Sequence, residues 1–412
     1  MYLKRSLLFI LSCCILLLTS SVLSQKTISN DLKGKRIITG ANQTEKYIPY
    51  LKGKRVAIMA NPTSIVGTKH LVDSLQNAGI NIVKVFGPEH GFRGNVGAGV
   101  HIKDEIDRKT GIPIVSLYGA KNKPSKEDLE NVDVLIYDLQ DVGVRFYTNI
   151  NALSRLMIAC YESDKEMLIL DRPNPNGYLI DGPVLDMKYK SGIGMFPLPM
   201  SHGLTVAEFA QMANGEGWIK SKGKVVQCKL KIIPVANYEH DMLYTLPVAP
   251  SPNLNTQLSV LLYPSTCMFE GTYINHGRGT YYPFTVFGSP AYKDIYDFSF
   301  TPKGINGMAM TPLFMEEVCY GIDLREYNTK LLFQSKQINL QWIMELYKNS
   351  PEKEKFFDGS LSNQINSIEI QIGSGLFRQQ IIDGVPESEI RTSWEPGLAN
   401  YKKMRKQYLL YP

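Results

Sequence analysis

Cysteine is scarce in this chain: there are six in 412 residues, and no two stand as Cys-x-x-Cys. That argues against a disulfide scaffold or a zinc site of the usual spacing, and leaves isolated buried thiols as the expectation for Cys160, Cys228, Cys267 and Cys319. Charge of one sign is also short. The formal net charge is +6 and the basic residues are scattered, apart from Lys402-Lys403-Met404-Arg405-Lys406, which reads as a solvated helix face. Without a dense basic stripe or a recognisable module, no nucleic-acid partner is expected. The usual phosphate and nucleophile loops are missing too. There is no Gly-x-x-x-x-Gly-Lys and no Gly-x-Ser-x-Gly, and Gly91, Gly94, Gly97 and Gly99 lack the Gly-x-Gly-x-x-Gly spacing. Nucleotide binding and serine-hydrolase chemistry thereby lose their best markers. Past the N-terminal stretch no apolar run is long enough to cross a bilayer, so no integral membrane span is expected.

What is present begins with a targeting segment. Lys4-Arg5 precede an apolar run from Ser6 to Leu18, and Val22-Leu23-Ser24 offer compact residues before Gln25. Residues 1–24 are therefore expected to be a cleaved secretory signal, and the mature protein to be exported to the periplasm. Cys13 and Cys14 sit inside the apolar run with too little of it upstream for lipid attachment, so simple cleavage is the expectation. A composition of 44% hydrophobic and 20% charged residues over this length is enough for two domains with real cores.

The first part of the mature chain alternates strands and helices. Apolar, β-branched runs predict strands at 55–60, 80–86, 112–117, 132–137 and 166–170. Between them, helices are predicted at 69–78, from Ser125 with Asp128 three residues on, and at 151–163. Five near-continuous apolar strands separated by helices imply an α/β fold with a Rossmann-like, doubly wound parallel sheet. Polar residues follow each strand: Asn61, then Glu89-His90, Tyr118, Asp138 with Asp141, and Asp171-Arg172. In an open α/β sheet the carboxyl ends of the strands are where ligands bind, so the set reads as one cleft. A carboxyl and an imidazole side by side in Gly87-Pro88-Glu89-His90-Gly91 suit proton transfer. His90, Asp138, Asp141, Asp171 and His202 also leave a catalytic metal open, although none shows the tight helical spacing of His-Glu metal pairs.

Beyond Asp171 the chain changes character. Asp171-Arg172-Pro173-Asn174-Pro175 is a proline-locked loop with an acid and a guanidinium at its mouth, and Pro250-Ser251-Pro252-Asn253 is a second rigid loop. Met200-Ser201-His202-Gly203 leads into a helix predicted over 206–214, with Thr205 as its N-cap. Phe269-Glu270-Gly271-Thr272 and Asn275-His276-Gly277-Arg278-Gly279 crowd an acid, an imidazole and an arginine into one glycine-rich span, which reads as part of a site. Strands at 298–300 and 368–372 and helices around 337–348 and 398–408 predict a second, smaller α+β domain. The expected division is 36–262 and 263–412.

Together, Asn61-Pro62-Thr63-Ser64, Gly87-Pro88-Glu89-His90-Gly91-Phe92-Arg93-Gly94, the run Asp138 to Thr148, Asp171-Arg172-Pro173-Asn174-Pro175, and Glu270-Gly271-Thr272 with Gly277-Arg278-Gly279-Thr280 resemble the NamZ family. The likeness runs from about Arg36 to the end of the chain. It implies an exo-β-N-acetylmuramidase that releases N-acetylmuramic acid from the non-reducing ends of peptidoglycan glycans. A Rossmann-like catalytic domain would be joined to an auxiliary domain across a cleft, with no cofactor. On that reading Glu89 is the general acid, His90 orients it, and Glu270 is the second carboxyl, a role for which Asp138 and Asp141 compete. Arg145, Arg172 and Arg278 become candidates for the lactyl carboxylate of the sugar, since a guanidinium meets a carboxylate with two parallel hydrogen bonds. Tyr118 and Tyr147 offer stacking faces, and Asn61, Asp171, Asn174, His202 and Asn253 are further expected contacts. A non-catalytic peptidoglycan-binding protein and a metal-dependent hydrolase remain the alternatives.

Overall fold

Strands that are apolar on both faces cannot leave either face to water, and here they stack into one sheet with helices on each side. In the computed structural model, which describes residues 31–32, 35–88, 91–93, 105–359 and 367–412, six strands lie parallel. They are β1 (Arg55–Ala60), β2 (Asn81–Gly87), β3 (Pro113–Ser116), β4 (Val134–Asp138), β5 (Glu166–Leu170) and β6 (Lys229–Ile233). Their order across the sheet is 3-2-1-4-5-6, and the two-residue strand Glu105–Ile106 adds an antiparallel edge beyond β3. This is the doubly wound Rossmann order, with its switch point between β1 and β4. The stretch read as a signal segment, and Glu89 and His90, lie outside the described residues.

Alternation along each strand sends successive side chains to opposite layers. Ala57, Met59, Leu135, Tyr137, Met167 and Ile169 pack with α3 (Asn149–Glu162) and α4 (Val206–Gly215). Val56, Ile58, Val134, Ile136, Leu168 and Leu170 pack on the other side with α1 (Thr44–Leu51) and α2 (Leu71–Asn77). Helix ends follow the sequence signals. Thr205 and Glu208 form a reciprocal capping box at the start of α4, and Ser125 and Asp128 do the same for the single turn Lys126–Leu129.

The second part of the chain starts with α5 (Gln257–Thr266), which runs unbroken through the boundary expected at 262/263. It continues into a 3₁₀ turn, Cys267–Gly271. A three-stranded antiparallel sheet follows, in the order β7 (Val286–Ser289), β9 (Cys319–Asp323), β8 (Ser299–Phe300). Helices α6 (Gln341–Asn349), α7 (Ser367–Ile372), α8 (Phe377–Ile382) and α9 (Glu387–Arg405), with the short helix Lys330–Ser335 ahead of them, complete it. One sequence expectation fails here, and one element proves longer than expected. The segment 368–372 is helix, because Ile368, Gln371 and Ile372 at helical spacing are all wholly buried, and that packing overrides the alternating Ile-Glu-Ile-Gln-Ile pattern. The C-terminal helix begins eleven residues before 398. The core of this part takes in Val142, Val144 and Phe146 from the first part, so the two share one apolar seam. Cys160, Cys228, Cys267 and Cys319 are free thiols and all buried. No helix among the described residues is long and apolar enough to cross a membrane.

Candidate active site

The carboxyl ends of the parallel strands open onto a cleft of about 530 Å³, within the range of small-ligand sites. Asn61 after β1, Pro88 after β2, and Leu117 with Tyr118 after β3 form its floor. One wall is the amino-terminal part of α3, and the facing wall carries Pro250, Asn253, Glu270, Arg278 and Phe284. Predicted contacts from both halves of the chain thus meet in one place.

Glu270 is the acid of the far wall, held by the turn that continues α5. Its Oε1 accepts from Arg278 Nη2 at 2.6 Å, and its Oε2 lies 3.4 Å from Gln371 Nε2 and 3.6 Å from Cys267 Sγ. Arg278 Nε also lies 3.0 Å from His276 Nε2, and His276 Nδ1 lies 3.5 Å from the Ile274 carbonyl. Burial alone would raise the Glu270 carboxyl, but the Arg278 guanidinium outweighs it, with His276 assisting, and holds the group well below the usual carboxylate range. Glu270 is therefore a standing negative charge at any ordinary pH and cannot donate a proton.

Of the other predicted contacts, Asn61, Tyr118, Tyr147, Asn253 and Arg278 line the cleft. Asn61 anchors the turn after β1, with Oδ1 accepting from Thr63 N at 2.9 Å. The Tyr147 hydroxyl donates to the Pro250 carbonyl at 2.7 Å, tying the two walls together. Asn253 Nδ2 donates to the Met308 carbonyl at 3.0 Å while its buried Oδ1 has no partner.

Seven predicted residues do not line the cleft, and each has a structural partner. Asp138 and Arg172 form a bidentate pair at 2.6 and 2.9 Å with both side chains buried, so neither is available to a ligand. Arg145 is 1% exposed and donates to the carbonyls of Leu198 at 2.9 Å and Gln371 at 2.8 Å. It fastens the first part of the chain to α7 and does not face a substrate. Asp171 accepts from Tyr411 Oη at 2.6 Å and from Ala207 N at 3.1 Å, anchoring the C-terminus and the start of α4, and burial pushes it up to about 7. Asn174 Nδ2 donates to the Leu204 carbonyl at 3.0 Å. The glycine at 143 is required there: with φ at +79°, a Cβ would meet the Asn174 amide at 2.4 Å.

Asp141 and His202 are a buried couple, Oδ1 to Nε2 4.0 Å. Burial pushes the acid up to about 7 and the imidazole down to about 3. His202 Nδ1 accepts from Leu204 N at 3.1 Å, which fixes the tautomer. Among the described residues no three His, Cys, Asp or Glu side chains gather as a metal site.

Sequence reading missed Arg155 and Asn151, which line the α3 wall. Both lie in a helix read for its apolar spacing, where Leu153, Leu156 and Met157 carried the signal.

Models of the exo-β-N-acetylmuramidase NamZ family match most of the chain, the N-terminal one over residues 56–258 and the C-terminal one over 261–411. The peptidoglycan β-N-acetylmuramidase NamZ of Bacillus subtilis strain 168 is 35% identical, over 96% of each chain. Two DUF1343 family proteins from Bacteroides fragilis have solved structures that cover 92% of this chain and 99% of their own. One has a TM-score of 0.82 at 44% identity, the other 0.74 at 28%.

Proposed function

Because this chain belongs to the exo-β-N-acetylmuramidase NamZ family, we propose that it removes N-acetylmuramic acid from the non-reducing ends of peptidoglycan glycans, with Glu89 as general acid and Glu270 as its ionised partner. The observation that carries the reading is the cleft itself. Pro88, the residue before Glu89 in the chain, and Glu270 line the same cavity from the two halves of the molecule.

Glycoside hydrolysis commonly divides its work between two carboxyls: one gives a proton to the departing oxygen, the other stays negative beside the cationic transition state. Glu270 fits the second role by environment, since Arg278 keeps it ionised. The competitors fit less well: Asp138 is neutralised by Arg172, and Asp141 lies below the cleft with its proton retained up to about pH 7. His90 follows Glu89 in the chain and is assigned to orienting it. Tyr118 and Tyr147 supply ring faces beside the strand ends for the sugar. The N-terminal segment supports export, which would bring the protein to its glycan in the periplasm.

The test uses two β-N-acetylmuramides, one with a nitrophenyl leaving group and one with a sugar. Glu89→Gln should lower kcat by ~10²–10⁴-fold on the sugar-linked substrate and much less on the aryl one, which needs little protonation. Glu270→Ala should lose activity on both, with partial recovery in azide. Near-normal rates for either variant on both substrates would remove that residue from the mechanism.

A further inference from the structure

Two guanidinium groups line the cleft among the described residues, Arg155 and Arg278. Arg278 is committed to Glu270 and His276. Arg155 is not committed among the described residues: Nη2 makes a weak contact to Met195 Sδ at 3.8 Å, and no described carboxylate pairs with it. Burial pushes its guanidinium down from the usual range, with no acid to offset the shift. A half-buried cation without a counter-ion is costly, and the cost is relieved when a ligand supplies the negative charge.

The surroundings favour an anion at the same place. Thr148, Asn151, Ala152 and Arg155 stand at i, i+3, i+4 and i+7 on one face of α3, and all four line the cleft. That face begins at the helix amino terminus, where the Thr148 side chain makes no capping bond and the first turn contains no acid, so none of the helix's own first-turn side chains opposes its positive end. Asn151 is 1% exposed, with Nδ2 donating to the Gly192 carbonyl at 2.8 Å and Oδ1 without a partner. A free, buried acceptor beside an unpaired cation is suited to a ligand bearing both an N–H or O–H and a carboxylate.

We propose that Arg155 is the specificity-determining residue of the cleft, binding the lactyl carboxylate by which N-acetylmuramic acid differs from N-acetylglucosamine. The inference rests on the muramidase reading above and gives it the group that selects the sugar. Arg145 and Arg172, whose guanidinium groups are fixed on backbone carbonyls and on Asp138, are thereby relieved of that role. A glucosaminide in the same cleft leaves Arg155 unpaired, so discrimination comes from the charge and not from the sugar ring.

The experiment compares three nitrophenyl glycosides on the mature protein: the β-N-acetylmuramide, its lactyl methyl ester and the β-N-acetylglucosaminide. The wild type should prefer the free acid over the ester by roughly 10- to 100-fold in kcat/KM, the range of a charge-assisted bond. Arg155→Met should erase that preference by lowering kcat/KM for the free acid to that of the ester, mainly through KM, at an unchanged melting temperature. Arg155→Lys, which keeps the charge and loses the fork, should keep part of the preference. A wild type that cleaves acid and ester equally overturns the assignment without any variant. So does a folded Arg155→Met enzyme that keeps the preference or slows on all three substrates alike. A wild type that cleaves none of the three overturns the muramidase reading itself, which is a distinguishable failure.

Discussion

Removing the Arg278 side chain, as in Arg278→Met, takes away the charge that keeps Glu270 ionised. The guanidinium meets the carboxylate at 2.6 Å, with 17% of the acid's side chain and 31% of the arginine's exposed. Charge centres about 4 Å apart at an effective dielectric near 20 interact by about 4 kcal/mol, or roughly three pH units. Burial, the largest single influence on Glu270, is then opposed only by His276, and the group moves up toward the ordinary carboxylate range. The sign is fixed by the role: turnover needs Glu270 negative, so activity is lost below its pKa. In the wild type that loss lies below the working range, and kcat/KM should stay flat on the acid side until the protein unfolds. In Arg278→Met an acid limb should appear in the ordinary carboxylate range, at about pH 4–5. The assay is kcat/KM for an aryl muramide between about pH 4 and 9, with circular dichroism at each pH to show that the variant is folded. A folded variant whose acid side stays flat would refute the claim that Arg278 holds a required negative charge on Glu270.

Two further substitutions probe the layer beneath the cleft. Arg172→Met strands the Asp138 carboxylate in a fully buried position and should cost about 3–5 kcal/mol in urea unfolding, whereas a surface-like effect below about 1 kcal/mol would contradict the buried pair. Asp171, pushed up to about 7 by burial, keeps its proton in the folded state up to about pH 7, while the unfolded chain releases it above about pH 4. Its contribution to stability therefore falls as pH rises from about 4 to 7 and levels off above. Asp171→Asn should remove that slope, gaining on the order of 2–4 kcal/mol relative to wild type between pH 4 and pH 7.5; parallel stability curves would contradict it.

The sheet was legible where strands are apolar on both faces, because only a parallel, helix-covered layer buries such runs. β6 escaped because Lys229 and Lys231 break the apolar run on an edge strand paired on one side only. The cleft was legible as a recurrence of polar residues after strand ends, and Glu270, His276 and Arg278 as a dense cluster. Sequence could not tell a cation facing the cleft from one beneath it. Arg145, Arg172 and Arg278 looked alike in their motifs, yet only the fold reveals that backbone carbonyls and Asp138 occupy the first two. Arg155 carried no motif at all, since its significance lies in having no acid paired with it among the described residues.

The central claim is tested most directly by incubating the protein with peptide-free glycan strands that end in N-acetylmuramic acid and resolving the products by mass spectrometry over time. The account predicts release of the single sugar N-acetylmuramic acid from the non-reducing end, stopping when N-acetylglucosamine becomes terminal. Release of N-acetylglucosamine first, early appearance of internal fragments, or strands left intact would contradict it.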